Sequence, residues 1–263
     1  MNETTAIQAA ATLRSEELTD QLAETVARAP LQSEPFEYIY MESAFAPRTY
    51  ARVLALLPDK RHFHELRHKD AMRPDGSSTR LRMYLYPERL WFLPQAQRGF
   101  WLAVSRAMRS APLQNAFKHK FRQPLEARFG RPIEHLSFYP IPILVCDLSG
   151  YRIGIHADAL SKAITVQFYL PRDASQRHMG TVFHYGREGE AAARTKTMQF
   201  LPASGYAFAV VPRESWHSVR QTTDADGERY SLMLTYYVQD TAKTWMKRRY
   251  DRARCFFGVG PRG

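Results

Sequence analysis

The feature that most restricts the fold is a change of texture at Ile133. From there to Val238 the chain consists of short aromatic and β-branched runs separated by turn residues. That pattern belongs to a many-stranded antiparallel architecture, not to a helical bundle. The runs fall at 134–139, 142–146, 151–156, 162–170, 180–184, 196–201 and 206–211, with 216–221 and 229–238 as a closing pair. Short strands that follow a helical half predict a mostly β fold with α: a double-stranded β-helix (jelly-roll) core buttressed by N-terminal helices.

The helical half reads in order. Residues 6–29 are rich in Ala, Leu, Glu and Gln without internal Pro or Gly, and predict a helix. Residues 30–36 carry Pro30 and Pro35 and read as a linker, followed by a short strand over 36–41. Pro47 suits the first turn of a helix in which Tyr50, Val53, Leu54 and Leu57 share one face, and Pro58 ends it. Residues 59–80 read as a polar, basic loop and 81–85 as a strand, and two helices follow over 94–110 and 113–129. Phe117, Phe121, Leu125 and Phe129 recur every four residues, the stripe of a helix packed on a sheet, and Gly130 stops it. The domain organisation expected is an N-terminal helical extension over 1–33 and a single domain over 34–263. That domain divides into helical support (34–132), a strand core (133–238) and a basic C-terminal tail (239–263).

Within the strand half, His156 and Asp158 lie two residues apart, so on a strand both point to one face. A later strand can bring His217 to that face. Two neutral imidazoles and one carboxylate, with other positions open, are the donor set of a non-haem Fe(II) site. An isolated His-x-Asp is common, and alone it reads as a solvated strand end. Here a β-rich run follows it over 162–170, another precedes His217 over 206–211, and a third follows over 229–238. Arg229 and Ser231 share a strand face, where a guanidinium can take a carboxylate bidentately beside a hydroxyl. The rival reading of Arg229 is a surface ion pair with Asp224, Asp226 or Glu228. Arg220 is a rival for its role, but its odd offset from His217 points it to the opposite face.

His156-x-Asp158, His217 and Arg229-x-Ser231, in that order and spacing, resemble the Fe(II)/2-oxoglutarate-dependent oxygenases, in the prolyl-hydroxylase-like branch, over roughly residues 135–238. The run from Pro35 to Ile39, with the helix that ends at Leu56-Leu57-Pro58, is also similar to bacterial members. The resemblance implies that His156, Asp158 and His217 hold Fe(II), that 2-oxoglutarate and O2 are cosubstrates, and that Arg229, helped by Ser231, takes the far carboxylate. It implies oxidation of an unactivated C–H, with succinate and CO2 as coproducts. Related halogenases have Gly or Ala where Asp158 stands, so a carboxylate there implies hydroxylation, desaturation or ring closure. The family's Gly-Gly-x-Leu is only partly matched by Met179-Gly180-Thr181-Val182-Phe183, which leaves the shape of that strand turn open. Tyr151, Arg152, Gln167 and Trp216 are candidate substrate contacts, as are Thr197 and Gln199, although each also reads as a wall residue. The loop over 185–196 reads as a lid or as a surface hairpin.

Charge narrows the substrate. The chain carries a formal net charge of +11. Residues 60–131 hold sixteen Lys/Arg against five Asp/Glu, and residues 240–263 hold seven against two. A small or medium biosynthetic metabolite is expected; the basic blocks would suit an anionic one, against the alternative that they are solvated helix faces. A peptidyl or protein hydroxylase and a non-catalytic cupin-like metal- or ligand-binding module remain alternatives. Nucleic-acid demethylation would suit the basic pI of about 9.8, but related demethylases carry a second arginine where Thr235 stands, so nucleic acid is not expected. His62, His64 and His68 have no pattern of partner ligands around them. No run of eighteen apolar residues or signal peptide is visible, and Cys146 and Cys255 suit reduced thiols, so a cytoplasmic protein without a membrane partner is expected. The oligomeric state is left open.

Overall fold

The computed structural model describes residues 13–239 and 241–256. The first part of the helix expected over 6–29, and residues 240 and 257–263 of the basic tail, lie outside the described residues. Helix α1 (Ser15–Arg28) has Glu16 and Glu17 in its first turn and Arg28 in its last, which complements the helix dipole. It buries Leu18, Leu22 and Val26 at four-residue intervals. Strands β1 (Leu31–Gln32) and β2 (Tyr38–Met41) follow, then α2 (Pro47–Ala55), β3 (His64–Glu65) and β4 (Arg80–Tyr84). Helices α3 (Pro87–Leu90), α4 (Gln95–Met108), α5 (Ala111–Lys120) and α6 (Arg122–Phe129) complete the support, and α1 packs on α4 and α5.

The single helix expected over 113–129 is two, α5 and α6, broken at Phe121. Pro124 explains the break: in a continuous helix its ring would meet the carbonyl of Lys120 and one backbone bond would be missing. Restarting at Arg122 puts Pro124 in a first turn, where neither penalty applies. The apolar stripe survives, with Phe117, Phe121 and Leu125 fully buried. Gly130 ends α6 with φ 64°, in the left-handed region.

The strand half begins with β5 (Phe138–Asp147), one unbroken strand where two were expected. Pro140 and Pro142 do not interrupt it. The Pro142 carbonyl accepts from the Leu85 amide, so the missing N–H groups face the β4 side, and the β4 ladder ends at Tyr84. After β5 come β6 (Ile153–His156), β7 (Lys162–Tyr169) and β8 (Thr181–His184). Helix α7 (Gly189–Ala193), β9 (Thr195–Thr197), β10 (Gly205–Ala209), β11 (His217–Val219), β12 (Arg229–Val238) and α8 (Ala242–Phe256) complete the order.

Two antiparallel sheets result. One runs β1-β2-β10-β7-β12-β5-β4-β3 and the other β6-β11-β8-β9. From β5 onward every connection except the β8–β9 hairpin crosses from one sheet to the other. Both faces of the central strands are buried, with different chemistry on each. On β12, Leu232, Leu234 and Tyr236 join Val166 and Phe168 of β7 in the cluster that receives the helices. The alternate residues, Arg229, Ser231 and Thr235, are as deeply buried on the face toward the second sheet, beside Thr165 and Gln167. A second apolar cluster, with Tyr38, Phe183, Phe200, Tyr206 and Phe208, ties the two sheets together there. The basic tail forms α8, whose Arg252 pairs with Glu88 of α3 while Arg248 lies over the Tyr237 ring.

Candidate metal centre

His156 ends β6 and His217 opens β11, and the two are direct partners in the β6–β11 ladder, with ring centroids 4.2 Å apart. Asp158 follows β6 by two residues. One ligand atom from each of His156, Asp158 and His217 lies within 4.8 Å of the others. Among the described residues no other group of three or more His, Cys, Asp or Glu is so placed. His62, His64 and His68 do not converge: His64 pairs with Arg89 and His68 with Asp70.

The groups around the triad fix its protonation. Each histidine places Nδ1 3.0 Å from the carbonyl two residues back, Gly154 for His156 and Ser215 for His217. An Nδ1–H donated there leaves Nε2 as the free lone pair, the usual arrangement of an imidazole ligand. Burial brings the His217 imidazole down to about 4, against the pull of the Asp158 charge and with help from His156, so the ring is neutral near pH 7. Burial works against the Asp158 carboxylate, but the Lys162 ammonium, His217 and two hydrogen bonds outweigh it and hold the carboxyl far below its ordinary range. Those bonds come from Lys162 Nζ to Oδ1 and from Thr165 Oγ1 to Oδ2, each at 2.5 Å. A carboxylate accepts about four bonds, so a lone pair remains on each oxygen. One ionised carboxylate and two imidazoles that can each turn an Nε2 lone pair to a common point fit a divalent iron ion.

Away from the triad, the polar face continues as a buried network. Gln167 Nε2 donates to Ser231 Oγ at 2.8 Å, Tyr206 donates to Gln167 Oε1 at 2.8 Å, and Thr181 Oγ1 lies 3.1 Å from the Tyr206 hydroxyl. The Tyr169 hydroxyl accepts from the Thr181 amide and is pushed up to about 12, chiefly by burial. Arg229 sits beyond, fully buried. Its Nε donates to the Met179 carbonyl at 2.8 Å and its Nη1 to Asp147 Oδ2 at 2.7 Å, while Nη2 is buried with no partner. A buried guanidinium N–H without an acceptor is costly unless a ligand supplies one. That orphan atom is what a bound carboxylate would satisfy, so the site fits the far end of 2-oxoglutarate as well.

Several expectations need correction. The acid beside Arg229 is buried Asp147, a β5 residue opposite it in register, and not Asp224, Asp226 or Glu228 of the preceding turn. Ser231 accepts from Gln167, which leaves its O–H to donate to a ligand. Gln167, a candidate substrate contact, is buried inside the network. Tyr151 is buried beneath the Arg80 guanidinium, 4.0 Å from ring centroid to Cζ. Arg152 is exposed and lines a different cavity with Arg73 and Asp224. Thr197 and Gln199 are exposed and line a cavity beside Tyr40 and Lys196, without a triad residue. Trp216 does reach the mouth of the triad. There a cavity of about 780 Å³ is lined by His156, Asp158, Leu160, Arg187, Arg213 and Trp216. Arg187 reaches it from the 185–196 loop. The sequence reading missed Lys162, Thr165, Asp147 and Arg80. Only Lys162, four residues after Asp158 and ahead of an apolar run, left a trace there.

No family model and no curated protein matches the chain. Solved structures do. A prolyl-4-hydroxylase of Pseudomonas putida superposes with TM-score 0.51 at 14% identity, over 84% of this chain and 99% of that one. The chain has the fold of the prolyl hydroxylases. A prolyl hydroxylase from Trichoplax adhaerens, in complex with a hypoxia inducible factor oxygen degradation domain peptide fragment, matches with TM-score 0.51 at 13% identity, over 90% and 94% of the two chains. Among the described residues no helix is long and apolar enough to cross a membrane.

Proposed function

We propose that this chain is an Fe(II)- and 2-oxoglutarate-dependent oxygenase, with a single domain over 34–263 behind the 1–33 extension. The observation that carries the reading is the pairing of two leftovers in one interior. A triad of two imidazoles and a carboxylate stands at one end, and a buried arginine with an unsatisfied Nη2 stands at the other. The alternation of strands between the two sheets supports a double-stranded β-helix core. His156, Asp158 and His217 would hold iron, and Arg229 with the Ser231 hydroxyl would take the far carboxylate of 2-oxoglutarate. The bound pair supplies O2-dependent oxidation of a C–H bond coupled to decarboxylation of the keto acid.

The mouth supports an anionic small or medium metabolite as the substrate. Arg187 stands over the Trp216 ring, and Arg213 makes no hydrogen bond or ion pair among the described residues. Arg213 also holds φ 64°, an unfavourable conformation for a residue with a Cβ. Leu160, 67% exposed, gives the same mouth an apolar wall. Two cations, an indole and a leucine suit a substrate with an acidic group and an apolar body. The substrate is bound and oriented by these side chains, while the buried network keeps bulk water from the arginine end.

The test is visible spectroscopy of the anaerobic Fe(II)-loaded protein. Addition of 2-oxoglutarate is expected to produce a metal-to-ligand charge-transfer band. Bound iron without that band would overturn the oxygenase reading in favour of a binding module, and no bound iron would overturn the triad itself.

A further inference from the structure

Three charged residues stand side by side across three neighbouring strands. Arg80 of β4 is opposite Asp147 of β5, and Asp147 is opposite Arg229 of β12. Asp147 is fully buried and both arginines bind it. Arg80 is bidentate, with Nε to Oδ1 at 2.5 Å and Nη2 to Oδ2 at 3.1 Å, while Arg229 Nη1 takes Oδ2 at 2.7 Å. The Tyr151 ring covers the face of the Arg80 guanidinium, and the Tyr169 and Phe200 rings lie against that of Arg229. All three side chains are thus pinned, and the free buried donor among them is Arg229 Nη2.

The charge balance gives the arrangement a purpose. Asp147 alone would neutralise Arg229 and repel any anion brought to Nη2. With Arg80 clamped on the far side, the three residues keep one net positive charge, and it is displayed where a partner is missing. We infer that Arg80 and Asp147 act as one neutral unit that positions Arg229 for the far carboxylate of the cosubstrate. Asp147 fixes the guanidinium plane and Arg80 cancels the charge that doing so introduces. This rests on the proposed function and adds two positioning residues that neither touch the metal nor bind the carboxylate.

The test is the Kd of 2-oxoglutarate, read from the charge-transfer band of the full-length, anaerobic Fe(II) protein. Arg80→Met leaves Asp147 to cancel Arg229, and the Kd should rise about ten- to a hundredfold with iron binding unchanged. Arg80→Lys keeps the charge without the bidentate, ring-stacked geometry and should fall between the parent and Arg80→Met. The decisive variant is Arg80→Met with Asp147→Asn, which removes both charges and should recover most of the lost affinity. A merely structural ion pair predicts the reverse, with the double variant at least as impaired as the single one. If Arg80→Met does not fold, Arg80→Gln and its Asp147→Asn double take its place. An unchanged Kd in the single variant, or no recovery in the double, overturns the inference alone. Absence of the band in the parent protein overturns it together with the oxygenase reading.

Discussion

The two ends of the space between the sheets are built from similar parts and left with opposite remainders. At the metal end Asp158 is matched by Lys162, and what remains is a set of lone pairs on Asp158, His156 and His217. At the arginine end Asp147 is matched by Arg80, and what remains is a positive charge with a free Nη2 on Arg229. In each case a buried ion pair offsets the desolvation of its own members, and the group left over selects the ligand. The first end suits a cation and the second an anion, which is what a molecule carrying metal-chelating and carboxylate ends requires.

The comparison breaks most visibly at the metal end. His156→Ala or Asp158→Ala should weaken iron binding sharply and lower succinate formation by at least about a thousandfold, since each removes one of the three protein ligands. At the arginine end the loss should be smaller and concern affinity. Arg229→Ala should raise the KM for 2-oxoglutarate about thirty- to a hundredfold, the equivalent of about 2–3 kcal/mol for a hydrogen bond to a charged group. Turnover at saturation should change less.

A third test reaches the arginine end through the backbone. A Cβ on Gly180 would lie 1.7 Å from the Met198 carbonyl oxygen, so Gly180→Ala must push strand β8 from the chain beside it. The neighbouring Met179 carbonyl holds Arg229 Nε. Gly180→Ala should therefore lower the melting temperature, at a cost of about 1–3 kcal/mol, and also weaken 2-oxoglutarate binding. The same glycine was visible in the sequence only as an incomplete family motif.

The metal end alone should show a pH signature. Burial and His156 depress the His217 imidazole to about 4 in the folded chain, below its ordinary value near 6.5. The unfolded chain therefore binds the proton first. Stability of the metal-free protein should be full above about pH 6.5, fall as the pH drops from there toward about 4, and lose no more from this group below that. Thermal unfolding across that range checks it, and His217→Asn should flatten the slope. The smallest effect belongs to Arg220, which is exposed and away from the network. Arg220→Ala should leave the 2-oxoglutarate Kd within about twofold, and a large rise would move the carboxylate assignment away from Arg229.

What could be read in the sequence follows the range of the interactions involved. The period-2 spacing of Arg229 and Ser231 on β12 is local, so it survives in one dimension; β6 ends at His156, so Asp158 was legible as a motif partner and not through strand alternation. The pairing of His156 with His217 was legible because each borders a recognisable strand. Arg80 and Asp147 carry no such mark. Their meaning comes from a register between strands sixty or more residues apart, and the sequence shows them as an ordinary basic loop end and an ordinary strand end. Gln167 was read as a candidate substrate contact, because nothing local reveals that Tyr206 and Ser231 close over it. At the level of elements, Pro124 broke a helix that its apolar stripe predicted as continuous. Pro140 and Pro142 failed to break a strand because the neighbour that would have needed their N–H groups had already ended.

The His156–His217 pairing also has a mechanical side. Strand β6 lies at the edge of its sheet and is bonded to β11 alone, through the pairs His217 with His156 and Val219 with Ile153. An ion shared by those two strands is a cross-link that closes the entire segment between them, including β7 through β10. Occupancy then tightens that edge of the sheet, by an increment that grows with the logarithm of free metal. Amide hydrogens of 153–156 should be the ones whose exchange slows most when iron is added, because local opening of that edge would have to release the ion first.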